Sequence, residues 1–234
     1  MDKQLLIPVP ARPMLELDLI ADLACPWSYL GKRSLERALD RLLGAPVRPL
    51  RWHGFPLMAP SSQPIAWRDH LESRLPTGVT VEYVHRTLQS AGRELGINFN
   101  FDRLQYLPDT RNAHRLVRIA AREERQSEVV DALFAAFFEQ GRDIGDMKVL
   151  EEVARECGLS SEALAAFANP DEARDDVAAE ERRLRELGVV NTPNLLLNGR
   201  VLVPGPADVS TYIQAIDQAL FPRLPAPTDR RRLH

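Results

Sequence analysis

"DLIADLACPWSYLGKRSLERAL", residues 18–39, sets an apolar run directly against a helix-forming run, with a cysteine and a proline at the join. In "MLELDLIADL" (14–23) the apolar residues at 15, 17, 19 and 20 predict a buried strand. Pro26 stands where a helix tolerates proline, in its first turn, and "SYLGKRSLERALDRLL" carries that helix on to Gly44. Cys25 therefore falls at the helix start, where unpaired N–H groups and the helix dipole stabilise an anion. A thiol in that position is expected to have a depressed pKa and more thiolate at neutral pH. The alternative is a small buried hydrophobe, the usual state of a free cysteine.

Downstream, "PVRPLRWHGFPL" (46–57) reads as a second strand that runs into a proline-rich loop ending at Pro64. From Ile65 to about Gly188 only helical periods are visible. They lie in "IAWRDHLESRL", "TVEYVHRTLQSAGRELG", "NAHRLVRIAAREE", "SEVVDALFAAFFEQG", "MKVLEEVARECG" and "DEARDDVAAEERRLRELG". Strand signals return in "TPNLLLNGRVLVPG" (192–205), whose Asn198-Gly199 pair between apolar runs predicts a hairpin. A last helix, "DVSTYIQAIDQAL" (208–220), precedes a proline- and arginine-rich end. The two ends supply β-α-β and β-β-α, so the fold class is α/β. One sheet domain (14–64 and 188–221) is interrupted by an all-helical insertion (65–187), and 222–234 is expected to be a disordered tail.

Composition narrows the function. The chain has 234 residues, 44% hydrophobic and 27% charged, with a formal net charge of −3, which suits a globular body and does not advertise a nucleic-acid-binding surface. The N-terminal "MDKQLLIPVPARP" lacks the pattern of a secretory signal, and no run approaches membrane-spanning length. A cytoplasmic protein, with no membrane partner and its thiols kept reduced, is expected. Its two cysteines, Cys25 and Cys157, are far apart, and no paired Cys/His spacing suggests a metal site.

The flanks of Cys25 carry a resemblance. "CPWSYLGKRSLE" (25–36) resembles the active-site turn of the DsbA-like thioredoxin superfamily. The branch is that of FrnE-type oxidoreductases, 2-hydroxychromene-2-carboxylate isomerases and kappa-class glutathione transferases. "PDTRNAHRLVRIA", "LFAAFFEQGRDIGDMKVLEEVARECGL" and "GVVNTPNLLLNGRVLVPG" resemble FrnE-like segments in the same order, so the likeness spans roughly residues 15–220. It implies a thioredoxin-like fold in which Cys25 is the nucleophile and Thr192-Pro193 is a cis-proline pair facing it. Pro26, Trp27, Thr192 and Pro193 are then expected to bind substrate, presenting main-chain groups to an extended peptide or to glutathione.

FrnE-like members commonly carry CPWC; here Ser28 replaces the second cysteine. A hydroxyl can hydrogen-bond to the Cys25 thiolate but cannot close a disulfide on it. Exchange therefore stops at a mixed disulfide until an external thiol, for which glutathione is the candidate, resolves it. The resemblance implies a thiol–disulfide oxidoreductase or isomerase with catalytic Cys25 and Ser28. Its substrate is a protein or glutathione thiol or disulfide, and it holds no tightly bound cofactor. The alternatives are a glutathione-dependent transferase or isomerase, and a non-catalytic binder of extended peptides. Kappa enzymes follow the second hairpin strand with Gly-Ser-Asp; "PGPAD" here puts Pro206 and Ala207 at the polar positions and shifts Asp208 by one, leaving glutathione-binding residues unassigned.

Other candidates have competing readings. Arg111, Arg115, Arg118, Arg122 and Arg125 recur at helical spacing beside His114, either as an anion-binding face or as a solvated face paired with glutamates. Arg115 or His114 is also a candidate for fixing the insertion to the sheet. His53 is a candidate base, though a lone histidine is usually only hydrogen-bonded. Cys157 is expected to be a packed helix residue rather than a resolving thiol. A homodimer is compatible with the sequence.

Overall fold

Leu17–Ala21 form β1, buried along its whole length because it lies at the middle of the sheet. The computed structural model describes residues 14–42, 47–58 and 63–221; the N-terminal segment and the 222–234 tail lie outside these residues, and the first helix, expected to reach Gly44, ends at Arg41, where Leu42 leaves helical conformation (φ −96°, ψ 53°). β1 pairs in parallel with β2 (Arg51–Gly54) and antiparallel with β3 (Asn194–Leu197), which pairs antiparallel with β4 (Val201–Pro204). The order β2-β1-β3-β4 brings the two ends of the chain into one sheet. Leu197 pairs with Val201, so three residues join the strands; Asn198 and Gly199 take positive φ, 50° and 63°, at the centre of a turn closed by the Arg200 amide donating to Leu197 O at 3.0 Å.

Between β1 and β2 runs α1 (Pro26–Arg41), with proline at its opening position. The stretch between β2 and β3 holds α2 (Trp67–Glu72), α3 (Val81–Leu95), α4 (Arg111–Ala120), α5 (Gln126–Phe138), α6 (Met147–Glu156), α7 (Ser161–Ala168) and α8 (Arg174–Glu186), and α9 (Val209–Leu220) follows β4. The expected helices are present, and α7 is an addition. Its start is set by Ser160, whose hydroxyl accepts from the Ala163 amide at 3.1 Å, and it buries Ala163 and Phe167. Its alanine-rich sequence has too little apolar contrast for a period to stand out.

A single cluster of buried side chains runs from the sheet through the helices. Tyr29 of α1 shows why. Its ring stacks on Phe134 of α5 at 4.7 Å and meets Phe99 edge-on at 5.8 Å, contacts worth about 0.5–1.5 kcal/mol each beyond burial. Its hydroxyl donates to Glu139 at 2.7 Å. One turn on, the buried Lys32 ammonium donates to Glu36 and to Asp131 of α5. α1 is thus clamped to the helical region on one side and packs against α9 on another. Its first turn has little freedom to move.

Candidate active site

The turn that carries Cys25 is built by backbone bonds before any side chain acts. The Cys25 amide donates to Asp22 O at 3.1 Å, and the Ser28 amide donates to Cys25 O at 3.0 Å. Cys25 is the N-cap of α1, in extended conformation (φ −100°, ψ 112°), so its sulfur occupies the place where a capping oxygen usually faces the first free amides. Thr192-Pro193 is a cis peptide, and the Cys25 thiol donates to Thr192 O at 3.6 Å. Residues 167 positions apart thereby meet.

Ser28 is fully buried. Its Oγ accepts from the Asp22 amide at 3.4 Å, which leaves its proton for the sulfur. The Thr192 hydroxyl is buried and, among the described residues, has no settled hydrogen-bond partner; it faces the same sulfur. Burial pushes the Cys25 pKa up. The Ser28 hydroxyl, the Thr192 hydroxyl and the Ser28 amide pull it down, and the negative charge of Asp22 pushes it up again, leaving it above the ordinary value. This corrects the expected depression. The helix-start amides are present, but a sulfur that is 3% exposed loses more from desolvation than they return. At rest the group is a thiol that donates to a carbonyl.

The sulfur opens onto a cavity of about 340 Å³. Ala24, Pro26 and Trp27 from the α1 turn and Asn191 and Thr192 from the cis-proline loop line one side. Trp67, His70, Leu71 and Arg74 from α2 and the turn after it line the other. Of the residues expected to bind substrate, Pro26, Trp27 and Thr192 reach the cavity. Pro193 is buried behind it against α1, where a Cβ on Gly31 would lie 3.1 Å from its ring. The α2 wall was missed in the sequence. Its signal was the i, i+3, i+4 spacing of Trp67, His70 and Leu71, which puts these three on one helical face, with Arg74 following in the turn after α2.

A second missed residue, Asp22, sits behind the turn. Its carboxylate accepts from the Thr110 hydroxyl at 2.8 Å, the Leu57 amide at 2.8 Å and the Ala24 amide at 3.4 Å. His114 Nε2 lies 3.4 Å away. The Trp52 indole donates to His114 Nδ1 at 3.3 Å, so the imidazole proton is on Nε2, facing the carboxylate. Burial raises the Asp22 pKa, but His114, Leu57 and Thr110 more than offset it, and the net shift is downward. Asp22 therefore stays an anion within the fold.

The remaining candidates lie elsewhere. His53 is held between Asp18 (2.7 Å) and Glu180 (2.8 Å); with both nitrogens engaged it ties β2 to α8 and offers no free base. Burial lowers its pKa, but the two carboxylates outweigh it and the net shift is upward. The arginines are partnered rather than turned to Cys25. Arg115 is buried and donates to the carbonyls of Phe167, Asn169 and Glu172. Arg118 pairs with Asp176, Arg122 with Glu172, Arg125 with Glu128 and Arg111 with Asp109. His114, which faces Asp22 and approaches Gly54 closely, is the one that joins the helical region to the sheet. Cys157 caps α6, its thiol 3.9 Å from Glu128 O, and is not in the cavity lining. Asp208 caps α9, accepting from the Thr211 amide at 2.7 Å.

The family described as DSBA-like thioredoxin domain matches residues 16–217. The Bacillus subtilis protein YwbO is 26% identical over 202 residues, covering 84% of this chain and 92% of that protein. A crystal structure of a probable DsbA oxidoreductase from Streptomyces coelicolor superposes with a TM-score of 0.75 at 26% identity, over 91% of this chain and 92% of that one. The cytosolic disulfide reductase DsbM from Pseudomonas aeruginosa, solved with glutathione, has a TM-score of 0.59 at 23% identity over 88% and 96% of the two chains. That last likeness is one of fold. No helix among the described residues is long and apolar enough to cross a membrane.

Proposed function

Since the chain belongs to the DSBA-like thioredoxin domain family, whose members are oxidoreductases and isomerases acting on thiols and disulfides, we propose that it is a thiol–disulfide oxidoreductase working through Cys25 alone. The observation that carries this reading is the meeting of Cys25 Sγ with Thr192 O at 3.6 Å, at the floor of a cavity, with a hydroxyl at Ser28 in place of a second thiol.

The thiol gives its proton to solvent as substrate binds, and its anion accepts from the Ser28 hydroxyl, the Ser28 amide and the Thr192 hydroxyl. It attacks one sulfur of a substrate disulfide. A new S–S bond forms at Cys25, the old one breaks, and the bonding electron pair leaves on the departing thiolate, which takes up a proton from solvent. A second thiol, for which glutathione is the proposed source, attacks the mixed disulfide as its thiolate, regenerating Cys25 and releasing a new disulfide. No net oxidation of the protein occurs in the cycle. The reading places the chain in a thiol-rich compartment such as the cytoplasm, and takes residues 14–64 and 188–221 as one discontinuous unit carrying 65–187.

Incubation with oxidised glutathione followed by intact-mass measurement tests it. One glutathionyl group is expected on Cys25 and none on that position in Cys25→Ser; a chain unmodified at Cys25 would overturn the reading. The raised pKa of Cys25 favours one second reading, in which the neutral thiol and Ser28 donate hydrogen bonds to a bound glutathione thiolate that performs transfer or isomerisation. Conjugation or isomerase activity that persists in Cys25→Ser supports that alternative.

A further inference from the structure

The residues that line the Cys25 cavity are mostly apolar: Trp27, Leu57, Trp67, Leu71, Leu75 and Pro76 among them. They include no carboxylate, and their one permanent cation is Arg74. Among the described residues no acid pairs with that guanidinium. Its hydrogen-bond contact is the Met58 sulfur at 4.0 Å, a weak acceptor that does not neutralise it. His70, one turn earlier on the same wall, has its pKa lowered by burial and by Arg74, with Asp22 opposing, so it competes little as a positive charge. The nearest buried anion, Asp22, already has four partners.

We propose that Arg74 makes this cavity select thiols and disulfides that carry a carboxylate close to their sulfur, and disfavour cationic ones. The inference rests on Cys25 being the reactive thiol. An attacking thiolate repels an anionic disulfide, and a guanidinium at the same cavity offsets that repulsion while binding the carboxylate. The apolar walls accept the flat or aliphatic remainder of the molecule, while Arg74, exposed at the cavity rim, acts through a charge that salt screens.

Three small disulfides of different charge test this on the full chain in a Cys157→Ser background: dithiobis-nitrobenzoate (anionic, aromatic), dithiodipyridine (neutral, aromatic) and cystamine (cationic). Each reaction consumes one Cys25 thiolate, forms one mixed disulfide and releases one thiolate, followed by absorbance for the aromatic reagents and by mass for cystamine. Rates are divided by those of a free cysteine peptide to remove intrinsic reactivity. Arg74→Gln is expected to slow the anionic reagent about tenfold, to slow the neutral one about twofold at most and to speed cystamine. Arg74→Lys is expected to restore most of the anionic rate. In ~1 M salt, where the screening length falls to about 3 Å, the difference should shrink. Equal slowing of all three reagents by Arg74→Gln, or no slowing of the anionic one, overturns the proposal while leaving Cys25 as the nucleophile. Failure of all three reagents to modify Cys25 overturns the proposed function and this inference with it.

Discussion

The Thr110 hydroxyl donates to Asp22 at 2.8 Å although 88 positions separate the two residues. This bond ties the start of α4 to the turn that carries Cys25. With the Leu57 amide and His114 it makes one buried carboxylate the junction of three chain segments. The proposed chemistry at Cys25 and the packing of the helical region are therefore linked through a charge that the solvent does not reach.

Asp22→Asn keeps the shape of that junction and removes its charge. The Cys25 pKa should fall, seen as a shift to lower pH in the iodoacetamide alkylation profile. Asp22→Ala should instead lose about 3–5 kcal/mol in urea unfolding, because it strands buried donors. Since the folded pKa of Asp22 lies below its unfolded value, its contribution is present above about pH 4 and is lost as pH falls through the folded value. An Asp22→Asn chain that alkylates with the wild-type profile would show that the charge does not reach the sulfur.

The same alkylation profile in the wild-type chain should have its midpoint above that of free cysteine, about 8.5. Ser28→Ala removes a hydrogen bond to the thiolate and should move the midpoint higher, slowing alkylation at neutral pH about tenfold. Cys25 is more basic folded than unfolded, so its burial stabilises the fold below the unfolded pKa and that contribution fades as pH rises toward the folded one. A midpoint below that of free cysteine contradicts this account.

His53 sits between two carboxylates and is protonated in the fold at pH values where the unfolded chain has begun to lose that proton. Its stabilisation should be complete below about pH 6.5 and should decline as pH rises through the folded value above it. His53→Gln should lose about 1–3 kcal/mol near pH 6 and flatten the slope of stability against pH in that window. An unchanged slope would remove His53 as its source.

Gly31 lies inside α1, where alanine would ordinarily add about 1 kcal/mol. Here an added Cβ would meet the Pro193 ring at 3.1 Å and the Tyr212 hydroxyl at 3.3 Å, both held in the core. Gly31→Ala should therefore destabilise by about 1–2 kcal/mol net, read from the urea midpoint. A stabilised variant would mean that these two neighbours yield readily.

Much of this was legible in the chain. The Leu17–Ala21 strand, the proline-opened helix and the Asn198-Gly199 hairpin are local patterns, and local patterns fixed the sheet. Cys25 stands out as a candidate because a helix start is a local signal too. The direction of its pKa was not legible, since that depends on how completely α2 and the cis-proline loop cover it, and coverage is a tertiary property. Asp22 read as one polar residue in a strand end; nothing near it in sequence announces Thr110 or His114. The Arg111–Arg125 spacing was real, but spacing cannot say that acids and carbonyls on α5 and the α7–α8 region already claim the guanidinium groups.

The middle of the sheet, where β1 is bonded to β3, has a consequence for synthesis on the ribosome. β1 and the Cys25 turn emerge early, yet the Thr192 carbonyl that covers the sulfur is made 167 residues after Cys25, and β3, which flanks β1, follows it. Until they arrive the nascent polypeptide bears an uncovered thiol in an incomplete sheet. On a chain still being made, this sulfur therefore stays uncovered until the residues that complete its cavity have been added.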